Sequence, residues 1–394
     1  MISFKHRVPA APRTQSAGFS QIELMIAIVL GALVVAGLIN VLIANRQAYH
    51  LQEANNYNQQ NMRFALDSIG WSLRHAGFYG GVLPGSVLGT PTVTGITGSA
   101  CDATFILNAA QPIFGADGDT DFPLAACVNN ANYVAGSDVL VVRYADADAL
   151  PWSAGTAPTL SADEVYLEAR SGAYGQLFSN AIVDQLPFTD GGGAPQAGSY
   201  IYPYHVEIYY LRPCSDPGAG GVCGPTSDGG NPIPTLMRMR LDSAGALVSE
   251  PVVEGVEQLQ FEYGLRDATD PNKSPLPTNY ESASAVTAAN AWPNVMTVRI
   301  GYVLRAQQRD TALPHSFDSG STDAADANYP LRLSSDCEYS ISTTGAVVVS
   351  GPTSGSTCQG VFNATGTSVG TNPQQYARIQ MTAVVQTRNT IRQI

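Results

Sequence analysis

This chain has little charge. Only 13% of its 394 residues are Asp, Glu, Lys or Arg, against 38 glycines and 25 prolines. That mix argues against a helical bundle and suits a loop-rich β protein. Motifs of hydrolytic or nucleotide chemistry are missing too. There is no G-x-S-x-G, no H-E-x-x-H and no glycine loop placed before a helix to cradle phosphate. The serines have no evident placed base, so an enzyme is not expected. No cysteine lies in a C-x-x-C or near a histidine at zinc-ligand spacing, which argues against a metal. With 32 acidic side chains against 20 basic ones, the chain repels a phosphate backbone, and nucleic acid is not expected as a main partner. No internal repeat stands out.

One long hydrophobic run is present, Leu24–Ala44, all apolar or glycine except Asn40 and free of proline. About 20 residues at 1.5 Å each cross a bilayer core. Ahead of it stand Lys5, Arg7 and Arg13 with no acid, and losing those three cations would take the net charge from −12 to −15. Their positions place them on the cytoplasmic side and the rest of the chain across the membrane. A secretory signal keeps its apolar core before the cleavage site and discards it. Here the small-residue candidate, Gly18, precedes the run, so processing would keep the apolar segment. Glu23 sits at the mouth of that segment. A carboxylate costs about 2.5–3.5 kcal/mol at the centre of a membrane helix and less near an end, where it can also snorkel to the interface.

The helical pattern continues past the membrane edge. Met62, Ala65, Leu66, Ile69 and Leu73 form one apolar stripe, which Leu51, Ala54 and Asn58 extend more weakly. Gln52, Glu53, Asn56, Gln59, Gln60 and Arg63 mark the opposite side, and Gly77 and Gly80–Gly81 end the pattern. An unbroken helix from Phe19 to His75 would run roughly 85 Å. Beyond Gly81 the texture turns to short β-rich runs: Asp138–Tyr144, Tyr204–Leu211, Thr235–Leu241, Val252–Gly264, Asn294–Arg305 and Tyr376–Thr387. We expect these to form one antiparallel sheet packed on the amphipathic half of the helix. The fold class is then α+β, with a leader over residues 1–18, a spine helix over 19–79 (24–44 transmembrane) and a β-rich head over 80–394. Three gaps, Gly80–Ser137, Asp267–Ala291 and Asp310–Thr371, show little periodicity, and loops that long are uncommon unless functional.

Six cysteines form three sequence-local couples, suggesting Cys101–Cys127, Cys214–Cys223 and Cys337–Cys358, although six cysteines allow many other pairings. An even count in an exported chain fits an oxidising compartment such as the periplasm, where each bridge contributes about 2–4 kcal/mol. Asp117-x-Asp119-x-Asp121 spaces carboxylates as a calcium loop does. Phe122 stands where the EF-hand glycine belongs and Val128 where its glutamate belongs. A solvated acidic turn is expected there and no cofactor, with calcium the alternative. The aromatic run Tyr200–Tyr210 reads as sheet core rather than a sugar-stacking surface, and Trp71 as a core residue of the helix.

Gly18-Phe19-Ser20-Gln21-Ile22-Glu23, followed by the apolar run, resembles the prepilin signature of type IV pilins and type II secretion pseudopilins. VVEGVEQLQFEYG, NVMTVRIGYVLR and the late QTRN resemble segments of the PilW family of minor pilins, which is similar to the J-type minor pseudopilins of type II secretion. The resemblance implies cleavage after Gly18 by a prepilin peptidase and N-methylation of Phe19. It implies pairing of Glu23 with the N-terminal amine of a neighbouring subunit. It further implies a protein held in the inner membrane and then assembled into a surface pilus with the major pilin, other minor pilins and a large tip adhesin, in support of motility and adhesion. The alternatives are a type II secretion pseudopilin and an adhesive or calcium-binding module on a pilin stem. On this reading Glu23→Gln is processed and inserted normally but enters filaments poorly, as read by immunoblots of sheared filaments against whole membranes; normal incorporation would remove the assembly role of Glu23.

Overall fold

A computed structural model of the chain describes residues 20–89, 101–119, 121–124, 127–152, 158–161, 164–179, 196–242, 245–267, 276–277, 279–307, 331–332, 338–341, 347–350, 359–362, 376 and 378–389. The chain divides into two compact units, Met1–Glu53 and Ala54–Ile394. Helix α1, Gln21–His75, contributes to both. In the first unit all residues from Ser20 to His50 are exposed, and from Leu24 to Ala44 every one of them except Asn40 is apolar or glycine. In the second unit it becomes one-sided. Met62, Ala65, Ile69 and Leu73 are buried, whereas Gln59, Gln60 and Arg63 are exposed. The helix stops where Gly77 takes a φ of +73°, the left-handed conformation that glycine adopts at no steric cost.

The elements that follow are β1 (Val87–Leu88), α2 (Ala103–Ile106), β2 (Ile113–Ala116), β3 (Val139–Ala145), β4 (Val165–Arg170), β5 (Gly175–Ser179), β6 (Ser199–Arg212), β7 (Thr235–Leu241), β8 (Leu247–Glu254), β9 (Val256–Leu265), β10 (Asn279–Glu281), α3 (Ala283–Ala288), β11 (Val295–Arg305), β12 (Leu331–Arg332), β13 (Glu338–Ile341), β14 (Val347–Ser350), β15 (Gln359–Phe362) and β16 (Arg378–Gln386). The class is α+β. The expected single sheet is corrected to several. An eight-stranded sheet runs β1-β5-β4-β6-β3-β2, with β7 and then β8 branching from β6, and only its β1–β5 pair is parallel. A four-stranded antiparallel sheet runs β10-β9-β11-β16, and a small one β12-β13-β14-β15. The branch exists because β6 is 14 residues long. Its first part pairs with β4 and its last part with β7 on the same edge. Alternation alone identified strands but could not assign them to sheets.

Both faces of the eight-stranded sheet are covered, which is why β3 is buried along its whole length. Leu140, Val142 and Tyr209 pack in one core with Ile69 and Leu73 of α1 and with Phe261 and Ile300 of the second sheet. Val139, Val141, Val206 and Ile208 pack in another, under Ile106, Leu107 and Phe122. The run Tyr200–Tyr210 is mostly sheet core, as expected, although Tyr200 is exposed. Trp71 is a correction, because it is 47% exposed. It lies two positions from both Ile69 and Leu73, which on a helix turns it about 200° from the buried stripe. Its ring stacks on His75 at 4.1 Å and meets Tyr144 edge-on at 5.5 Å.

The run expected as one strand, Val252–Gly264, breaks at Gly255 and passes from one sheet to the other. Gly255 has φ +88°, and a Cβ there would lie 2.7 Å from the Arg305 carbonyl oxygen. Its N–H donates to Pro234 O at 2.7 Å, and its carbonyl accepts from Arg305 N at 2.8 Å. A buried charge cluster locks the second sheet beside this corner. Arg378 donates to both Glu257 oxygens, at 2.6 and 2.9 Å, and the Arg305 guanidinium lies 3.8 Å from the same carboxylate. Arg305 also lies over the Tyr376 ring, at 4.4 Å, and donates to Pro232 O.

Two changes test these features by urea unfolding of the detergent-solubilised chain. Gly255→Ala combines strained backbone with a backbone clash and should cost about 1–3 kcal/mol. Glu257→Gln leaves two buried guanidinium groups without their carboxylate and should cost about 3–5 kcal/mol. An unchanged midpoint in either variant would contradict the corresponding account.

Candidate assembly site

The first residues of α1 form a surface without protein cover. Ile22, Leu24, Met25, Ile28 and their successors to Ile43 are exposed apolar side chains. Among the described residues α1 is the one helix long and apolar enough to cross a membrane. Gly18 and Phe19 lie outside the described residues. Glu23 lies within them, and its carboxylate accepts a hydrogen bond from the Ser20 backbone N–H at 3.0 Å. The Ser20 carbonyl in turn accepts from Leu24 N at 3.1 Å. Ser20-x-x-Glu23 thus supplies half of a capping box, in which a glutamate reaches back to an N–H that the first helical turn leaves unbonded. The Ser20-x-x-Glu23 spacing is local and is present in the sequence itself.

The second half of α1 is held by a polar clasp that the alternation of β6 only hinted at. Glu207, 5% exposed, accepts hydrogen bonds from Ser72 of α1 and, at 3.2 Å, from Tyr209. Its other oxygen pairs with Arg238 of β7 at 3.2 Å, and Arg238 also holds Glu250 of β8. Burial, with the Glu207 charge next, pushes the Tyr209 hydroxyl up to about 12, so it stays a donor at neutral pH. The net effect of its partners raises Arg238 above its ordinary value despite partial burial, chiefly through Glu207. Tyr302 adds a bond to the Met62 carbonyl at 2.7 Å, and Asn389 adds one to the Arg74 carbonyl at 3.2 Å. Sequence reading assigned a helix-packing sheet but could not single out Ser72, Glu207 or Tyr302. Their bonds span 135 to 240 positions along the chain.

Cys101 is joined to Cys127, and Cys214 to Cys223. Cys337 and Cys358 lie outside the described residues. The first bridge flanks α2, whose end carbonyls are collected by Arg143 of β3. That side chain is fully buried, donates to Phe105 O, Ile106 O and Gln111 O at 2.6–3.1 Å, and is lowered from its ordinary value by burial. The acidic ladder is not gathered around one point. Asp117 accepts from the N–H groups of Ala283 and Ser284, at 2.7 and 2.9 Å, and so covers the start of α3. Asp121 accepts from Asn130 at 2.6 Å, and the Asp119 carbonyl accepts from Gly136 N at 2.9 Å. Among the described residues no three His, Cys, Asp or Glu side chains come together as a metal site.

No curated protein and no solved structure matches the chain. The family described as Type IV Pilus-assembly protein W (PilW) matches over residues 224–389. The matched region begins ahead of β7 and runs through β16. It therefore takes in Gly255, the Glu257 cluster and the two fragments VVEGVEQLQFEYG and NVMTVRIGYVLR. Over residues 224–389, less than half of its length, the chain is similar to the PilW family, whose description is that of a type IV pilus-assembly protein.

Proposed function

We propose that the chain is a minor pilin, a structural subunit that primes or caps a type IV pilus rather than an enzyme. It is cleaved after Gly18, methylated at Phe19 and held in the inner membrane by the apolar part of α1, with residues 80–394 in the periplasm. It then enters the filament. Its partners are the prepilin peptidase, the major pilin, other minor pilins and a large tip adhesin, and its loss would impair motility and adhesion. One observation carries the reading: a PilW match over 224–389 stands in the same chain as a long helix whose first part is apolar on all sides. A helix of that kind needs a bilayer or other helices around it, and a filament core supplies the second. Glu23 supports the same reading. In the free subunit the Ser20 N–H satisfies one of its oxygens. In a filament a neighbour's N-terminal amine offers the carboxylate a charged partner, which is roughly twice as strong as a neutral hydrogen bond.

Mass spectrometry of sheared surface filaments tests the proposal. The expected result is this chain, beginning at N-methyl-Phe19, at a small fraction of the major subunit and accompanied by other minor subunits. Its absence from filaments, or an intact residue 1–18 segment in them, would overturn it.

A further inference from the structure

The second sheet ends on β16. The Thr387 N–H donates to Met296 O at 2.8 Å, and Gln386 stands opposite Thr297. Hydrogen-bonded pairs alternate along an antiparallel ladder. Met381, Ala383 and Val385 therefore turn their N–H and C=O groups to β11, while Thr382, Val384 and Gln386 turn theirs outward. All three outward residues are exposed, and among the described residues β16 pairs with β11 alone.

The other open edges of the two larger sheets are short or guarded. β1, β2 and β10 are two, four and three residues long. β8 is longer but carries Pro251, Glu250 and Glu254. β16 has nine residues and no charge, proline or glycine from Ile379 to Gln386. Such an edge recruits another strand unless something covers it. Beside it lies a groove of about 250 Å³ lined by Leu66, Asp67 and Arg74 of α1 and by Val384, Gln386 and Arg388. The apolar side chains offer seats for alternate residues of an added strand. The two exposed arginines outnumber Asp67, within a chain whose net charge is −12.

We propose that β16 is completed in the assembled pilus by an extended strand from a different subunit, with a carboxylate side chain of that strand against Arg74 and Arg388. A second copy of this chain would bring the same cationic groove, so charge favours a different, acidic segment. The inference rests on the filament-subunit reading, which brings a neighbour to this edge.

Hydrogen exchange and cross-linking test it on the full chain, in detergent and in sheared filaments. The outward amides of Thr382, Val384 and Gln386 should exchange about tenfold more slowly in filaments than in detergent. Thr382→Pro removes one outward N–H and leaves the β11 ladder intact. It should keep the wild-type urea midpoint in detergent yet enter filaments about tenfold less, whereas Thr382→Val should enter normally. A photoreactive side chain at Gln386 should cross-link to an acidic extended segment of another pilus subunit. Equal exchange in both states, normal entry of Thr382→Pro, or cross-links confined to copies of this chain would overturn the strand addition while the subunit reading stands. Filaments lacking the wild-type chain would reject both.

Discussion

Helix α1 presents two different kinds of surface in its two parts, and much of the chain follows from that. From Leu24 to Ala44 its side chains are apolar on every side apart from Asn40, a pattern that calls for an apolar surrounding. From Asn58 to Leu73 one stripe is buried and the other is wet. Burial of that stripe uses apolar area, but registry comes from directional groups. Ser72 reaches the Glu207 carboxylate, and Tyr302 reaches the Met62 carbonyl. An apolar stripe alone would tolerate sliding by a turn, since residues four apart look alike to a sheet. The Glu207 clasp does not, because a buried carboxylate that loses its donors is costly.

The two larger sheets divide the remaining work. The eight-stranded sheet is covered on both faces, with α1 and the second sheet on one side and the α2 region on the other. The second sheet is tied through Gly255 to β8 and is locked by Glu257 between two arginines. The family match covers this second half and not the first part of α1. The connections around α2 and between β6 and β7 are held by separate disulfides.

The helix was legible because its signals are local. A 3.6-residue stripe, a glycine stop and an apolar run need no knowledge of distant partners, and the stripe Met62–Leu73 packs as read. Strand positions were legible for the same reason, and Val139–Ala145 is buried throughout. The division into sheets was not, because a period of two is the same in any sheet. Gly255 was the one local clue, a glycine inside an alternating run, which marks a bend or a close backbone approach. Trp71 was misplaced because hydrophobicity outweighed its helical angle. In the candidate site, Glu23 stood out by its setting, while its bond to Ser20 follows from a four-residue spacing. Glu207, Arg143 and Glu257 look like ordinary alternating polar residues in sequence. Only the fold shows that they are buried with partners far along the chain.

The placement of charge ties these observations to assembly. A chain with so few charged side chains buries several of them: Arg143, Glu207, Glu257, Arg305 and Arg378 are all under 10% exposed. Each is matched by carbonyls or an opposite charge, so they fix geometry at the expense of surface charge. What remains outside is thinly charged, and β16 shows the consequence most clearly. Its only charge, Arg378, is turned inward onto Glu257. The residues that face outward have neither charge nor proline to repel a neighbouring strand. In a monomer such an edge promotes aggregation. On the proposed reading of the chain as a filament subunit, it supplies a place for a neighbouring subunit.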